Sequence, residues 1–174
     1  MRQLRFTARG SLWNALDPVD PELRETVDYI GVRRHQDAYA DVVNRRSWPE
    51  LHSLFRHDTE IVLDTRAGEL RSIVGPDALG EFLDQAMARF EFFQFVVLST
   101  QVTLDPDDPD RASARLYMCE LRQGAGDGRG SVAFGVYHDD YLRADGHWWF
   151  AHRRYHSLAR TAPDFAVFPF PDLT

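Results

Sequence analysis

The segment GVYHDDYLRADGHWWFAHRR, residues 135–154, decides the fold. Two runs rich in Val, Tyr, Trp and Phe flank Asp145-Gly146, and an Asp-Gly pair between β-prone runs marks a tight hairpin. Outward from it the same composition recurs in FEFFQFVVLSTQVTLD (90–105), RASARLYMCELRQ (111–123), SVAFGVYHDDYLRAD (131–145) and HWWFAHRRYHSLAR (147–160). These segments, separated by PDDPD, GAGDGRG and DG, read as four long strands in a meander.

The first half has a different period. LDPVDPELRE supplies a helix start, with Asp20 as N-cap, Pro21 at the first helical position and Glu22 in the first turn. The helix is predicted over about Pro21–Arg46, with Leu23, Val27 and Ile30 as its first apolar stripe, a break or bend near Gly31, and Val32, His35, Tyr39 and Val43 resuming on one face. SWPE reads as a capping box, Ser47 with Glu50, opening a short helix through Phe55. EIVLD then reads as a strand, RAGELRSIV as a turn and second strand, and GPDALGEFLDQAMARF as a third helix starting near Pro76. Helices followed by antiparallel strands predict an α+β layer with one sheet face packed on the helices.

At 174 residues one domain is expected. It divides into an N-terminal extension (1–20), a folded domain (21–160) and a C-terminal arm (161–174), whose three prolines and three phenylalanines predict an extended segment covering something apolar. A formal charge of -7 with scattered arginines excludes a general nucleic-acid binder. The single Cys119 forms no internal disulfide and fits a reducing, cytoplasmic setting. Neither a signal peptide nor a membrane span is read from the sequence.

With YADVVNRRSWPELHSLF early, DTEIVLD in the middle and GVYHDDYLRADGHWWFAHRR late, the chain resembles the SnoaL-like branch of the nuclear transport factor 2-like superfamily over Val27–Arg160. That resemblance implies a cone-shaped curved antiparallel sheet wrapped around a long N-terminal helix, with two shorter helices and an apolar pocket open at one end. It also implies either of two functions. One is cofactor-free acid-base chemistry of dehydratase, isomerase or cyclase type on an apolar, cyclic or polyketide-like small molecule. The other is noncatalytic binding or scaffolding. Dehydratase-like members use a helix acid and a strand histidine as a proton-transfer pair; in this chain those positions fall on Asn44 and Val97, neither of which moves protons at neutral pH. Tyr39 and Arg153 match a tyrosine and an arginine of related enzymes.

The candidate residues each carry two readings. Tyr39 is a general acid or oxygen ligand, or a core residue with a satisfied hydroxyl. His35, one turn earlier, is a relay or substitute base, or a structural histidine. Asp64 replaces the missing carboxylate, or caps the turn that follows it. Arg153 anchors a carboxylate, enolate or phenolate, or forms a buried ion pair. Asn44 and Val97 contact substrate by resemblance, and Tyr137 faces a pocket left open by Gly135 and Ala133, or fills core. His152 and His156 share a strand face with Arg154 between them, which argues against a metal. Since the strands carry large apolar residues on both faces and the helices cover one, a homodimer through the outer sheet face is expected, with the FAVFPFP arm as the alternative cover.

Overall fold

The computed structural model describes residues 20–163 and 165–171, so most of the N-terminal extension lies outside the described residues. Helix α1 runs unbroken over Pro21–Arg45. Asp20 caps it, its side chain accepting from the Glu22 amide at 3.0 Å, and Arg46 ends it in the left-handed conformation. No break interrupts it at Gly31. A Cβ there would stand 2.9 Å from the Trp148 indole, so the glycine serves close approach of a strand side chain. The stripe Leu23, Val27 and Ile30 is exposed in the described structure, while Asp28 is buried and pairs with Arg143. The inward face is the later one: Val32, His35, Gln36, Tyr39, Val42 and Val43.

The SWPE segment forms a 3-10 helix, Trp48–Ser53, shorter than expected because Phe55 already begins a strand. The Ser47 hydroxyl donates to the Glu50 carboxylate at 2.6 Å instead of capping backbone. Strands β1 (Phe55–Asp64) and β2 (Arg71–Val74) follow, then α2 (Gly75–Met87), then β3 (Phe90–Leu104), β4 (Arg111–Gly124), β5 (Gly130–Ala144), β6 (His147–Arg160) and the short β7 (Ala166–Val167). The four long strands form the expected meander. Asp145 and Gly146, both at positive φ, close the β5–β6 hairpin between paired Ala144 and His147, the geometry of a two-residue primed turn.

The sheet order is β2-β1-β6-β5-β4-β3, with β7 added to β6. One pairing departs from the antiparallel expectation: β1 runs parallel to β6, with Ile61 opposite Arg153 and Leu63 opposite Tyr155. Register shifts at Val97/Ser99, Phe134/Gly135 and Asp140/Tyr141 let strands of this length curl, and the concave face closes on α1. No helix among the described residues is long and apolar enough to cross a membrane. On the convex face Leu121 and Phe134 stay exposed. The arm reaches that face through Phe170, which stacks on Tyr117 at 6.3 Å, yet Phe165 and Phe170 remain largely exposed themselves.

Candidate functional site

The space between α1, α2 and the concave sheet is a cavity of about 990 Å³. Its apolar walls come from Val43, Ile61, Leu79, Phe82, Phe93 and Phe95. Tyr39, Tyr137, Tyr155, Arg153 and Ser157 supply its buried polar groups, and Glu120, Arg122 and Arg160 stand farther along the sheet.

Arg153 organises the closed end. Fully buried, it donates through Nε to Asp139 Oδ1 at 2.8 Å and through Nη2 to Oδ2 at 3.1 Å. Its guanidinium carbon lies 4.0 Å from the Tyr39 and Tyr137 ring centres and 4.4 Å from that of Phe150. A planar cation with delocalised charge suits such an aromatic cage. The Tyr141 hydroxyl donates to Asp139 at 2.9 Å and accepts from Gln36 Nε2 at 3.0 Å, which completes a buried polar chain behind the cavity. Burial pushes the Asp139 carboxyl up, and the Arg153 guanidinium pulls it back. One donor is left over: Arg153 Nη1, shielded from solvent, has no partner among the described residues. A buried unsatisfied charged donor is costly unless something else accepts from it.

Tyr39 and Tyr137 hold their protons at neutral pH. Burial pushes the Tyr39 hydroxyl up, with Arg153 pulling partly back, and pushes Tyr137 up further. Tyr155 is pushed to about 12. The negative charge of Glu120 adds to the rise on all three, so its carboxylate shares their electrostatic environment. Both hydrogen bonds from Arg122 fall on Glu120 Oε2, the Nε one at 2.8 Å, leaving Oε1 without a hydrogen bond among the described residues.

Of the residues singled out from sequence, Tyr39, Tyr137 and Arg153 meet in this cavity. The others do not line it. Asn44 is exposed and brackets the β3 backbone, donating to the Phe95 carbonyl at 2.9 Å and accepting from its amide at 2.7 Å. Five residues after Tyr39 it stands about 140° around the helix, so its face points elsewhere. Val97 is half-buried against the core. Asp64 caps its turn, accepting from the Arg66 amide at 3.1 Å, and lies 3.5 Å from His156. The space that Gly135 leaves is filled by the Tyr155 ring, with which a Cβ would collide. Glu120, absent from the sequence candidates, had a signal: Leu116, Met118, Glu120 and Arg122 alternate on one strand face, two buried apolar residues followed by two charges.

His35 is packed behind the cavity, its ring 4.6 Å from Phe150 and its Nε2 3.1 Å from the Leu54 carbonyl, to which it donates. Burial, helped by His147, pushes it down to about 3, which removes it as a base near neutral pH. The unfolded chain binds a proton at His35 below about pH 6.5 whereas the folded chain does not, so stability is lost as pH drops through that interval. We expect His35 to contribute up to about 1.4 kcal/mol of lost stability per pH unit between 6.5 and 4.5. Urea unfolding of the wild type and His35→Phe across that range reads it as a difference in slope. Parallel slopes would contradict the assignment.

Residues 24–154 match the family described as a SnoaL-like domain. No curated protein matches the sequence. Among solved structures, a scytalone dehydratase-like protein from Novosphingobium aromaticivorans is similar at 18% identity, covering 87% of this chain and 97% of its own, with a TM-score of 0.71. A hexachlorocyclohexane dehydrochlorinase, LinA-type3 from Novosphingobium barchaimii, is 15% identical over 88% of this chain and 98% of its own, TM-score 0.68. An NTF2-like protein with a cystatin-like fold from Novosphingobium aromaticivorans is 19% identical over 84% and 92%, TM-score 0.67. At these identities the likeness is one of fold.

Proposed function

The chain belongs to the SnoaL-like domain family, and from that premise we propose that it is a small-molecule enzyme of the dehydratase, isomerase or cyclase type, acting by proton transfer next to a carbonyl group. The observation that carries this reading is the buried Arg153 cation in the lining of an apolar cavity, its guanidinium carbon 4.0 Å from the ring centre of Tyr39. A carbonyl oxygen in the cavity beside Tyr39 accepts from its hydroxyl, and the Arg153 cation against the ring supports the charge that develops there. Glu120 Oε1 removes a proton from the adjacent carbon, the C–H electron pair moves into the C–C bond, and the carbonyl pair moves onto oxygen as an enolate. Collapse of the enolate then expels a β-hydroxyl, which leaves as water on taking the proton from Glu120, or the proton returns to another carbon. The dehydratase and dehydrochlorinase names among the fold neighbours are compatible with such an elimination.

The test is deuterium uptake, followed by NMR in heavy water, on a panel of cyclic β-hydroxy ketones and 2-tetralone. Exchange at the carbon next to the carbonyl, catalysed by the wild type and lowered about ten-fold in Tyr39→Phe with folding kept, is the expected result. Exchange unaffected by Tyr39→Phe removes that hydroxyl from the mechanism. No exchange with any member of the panel favours the binding reading, in which the same cavity holds a ligand without turnover.

A further inference from the structure

We propose that the rim of this cavity is an anion site, and that its ligand is an amphipathic organic anion: a ring-sized apolar body inside and a carboxylate held among Arg71, Arg89 and Arg160. This rests on the cavity being the functional site. Five arginines and two glutamates line it, an excess of positive charge in a chain whose formal net charge is -7. Two of the arginines are occupied, Arg153 by Asp139 and Arg122 by Glu120. The other three have no carboxylate partner among the described residues, whereas most other arginine ion pairs are made between near neighbours in sequence.

Each free arginine is laid against a ring. The guanidinium carbon of Arg71 is 5.1 Å from the Phe82 ring centre, that of Arg89 is 4.9 Å from Phe90, and that of Arg160 is 5.3 Å from Phe168. Stacking satisfies the flat face of a guanidinium and leaves its in-plane N–H groups to donate. Arg160 shows the deficit directly: its Nε is shielded from solvent with no partner among the described residues, and its Nη1 reaches the Thr65 carbonyl only at 3.4 Å. A carboxylate supplies two acceptors to such forks, and the apolar wall behind them takes a ring.

Calorimetry with 2-naphthylacetate and its uncharged isostere 2-naphthylacetamide separates charge from shape. The acid is expected to bind about ten-fold more tightly than the amide at low salt, the preference shrinking in 0.5 M NaCl. Arg89→Gln and Arg160→Gln, which break no ion pair among the described residues, should each remove most of that preference. Equal binding of acid and amide overturns the anion site but leaves the cavity reading intact. A preference that survives both substitutions equally overturns the rim site. Binding of neither compound overturns both readings.

Discussion

Arg153→Met is expected to destabilise the fold by about 3–5 kcal/mol, because it strands the Asp139 carboxylate in the interior. Both side chains are essentially inaccessible, at 1% and 0% exposure, so water cannot replace the lost guanidinium. Tyr141 alone would remain as a donor to that charge, and the cage of Tyr39, Tyr137 and Phe150 would surround an aliphatic chain in place of a cation. The double variant Arg153→Met/Asp139→Asn removes both charges and should recover most of the loss, since a buried ion pair replaced as a unit is often close to neutral. Denaturant unfolding of the wild type, both single variants and the double variant measures the cycle. A single variant within about 1 kcal/mol of the wild type would mean that the pair is not isolated from solvent. If Arg153→Met does not fold, recovery in the double variant still decides the point.

The same cluster shows where sequence stops being informative. The β5–β6 hairpin was legible because everything that defines it is local: two β-prone runs and an Asp-Gly turn at positive φ. Arg153 and Tyr39 could be singled out but not joined, since one lies on the last long strand and the other on the first helix. The partner of Arg153 was harder still. Asp139 sits in a run of His138, Asp139 and Asp140, and only the strand register shows that the middle residue alone points inward. Similarly, the parallel pairing of β1 with β6 is set by the closure of the sheet, although the contiguous buried run Ile61–Asp64 carried a hint, for a strand covered on both faces loses its alternation. Asn44 failed for a different reason. Its place in a family pattern says nothing about which way it faces, whereas helical spacing from Tyr39 puts Val43, not Asn44, on the cavity side.

Those directions lead to the second large effect. Glu120→Gln is expected to lower carbon-proton exchange by about a hundred-fold or more, the size typical of removing a positioned base. The substitution keeps the shape and the hydrogen bond to Arg122 while removing the group that takes the proton. Three features single Glu120 out among the carboxylates. It lines the cavity, Oε1 is free of protein partners among the described residues, and its charge is felt by Tyr39, Tyr137 and Tyr155 together. Asp64 and Asp139 are engaged elsewhere, and Glu69, the other lining carboxylate, belongs to the exposed loop between β1 and β2. Loss of the acid is also expected to reduce the upward push on the three tyrosines, so their ultraviolet titration should move toward lower pH in Glu120→Gln. That readout separates the outcomes. A hundred-fold loss of exchange together with the titration shift identifies Glu120 as the base beside the tyrosine-arginine donors. Unchanged exchange with the titration shift present shows that the carboxylate is near the donors but takes no proton, and the base must then be sought at Glu69.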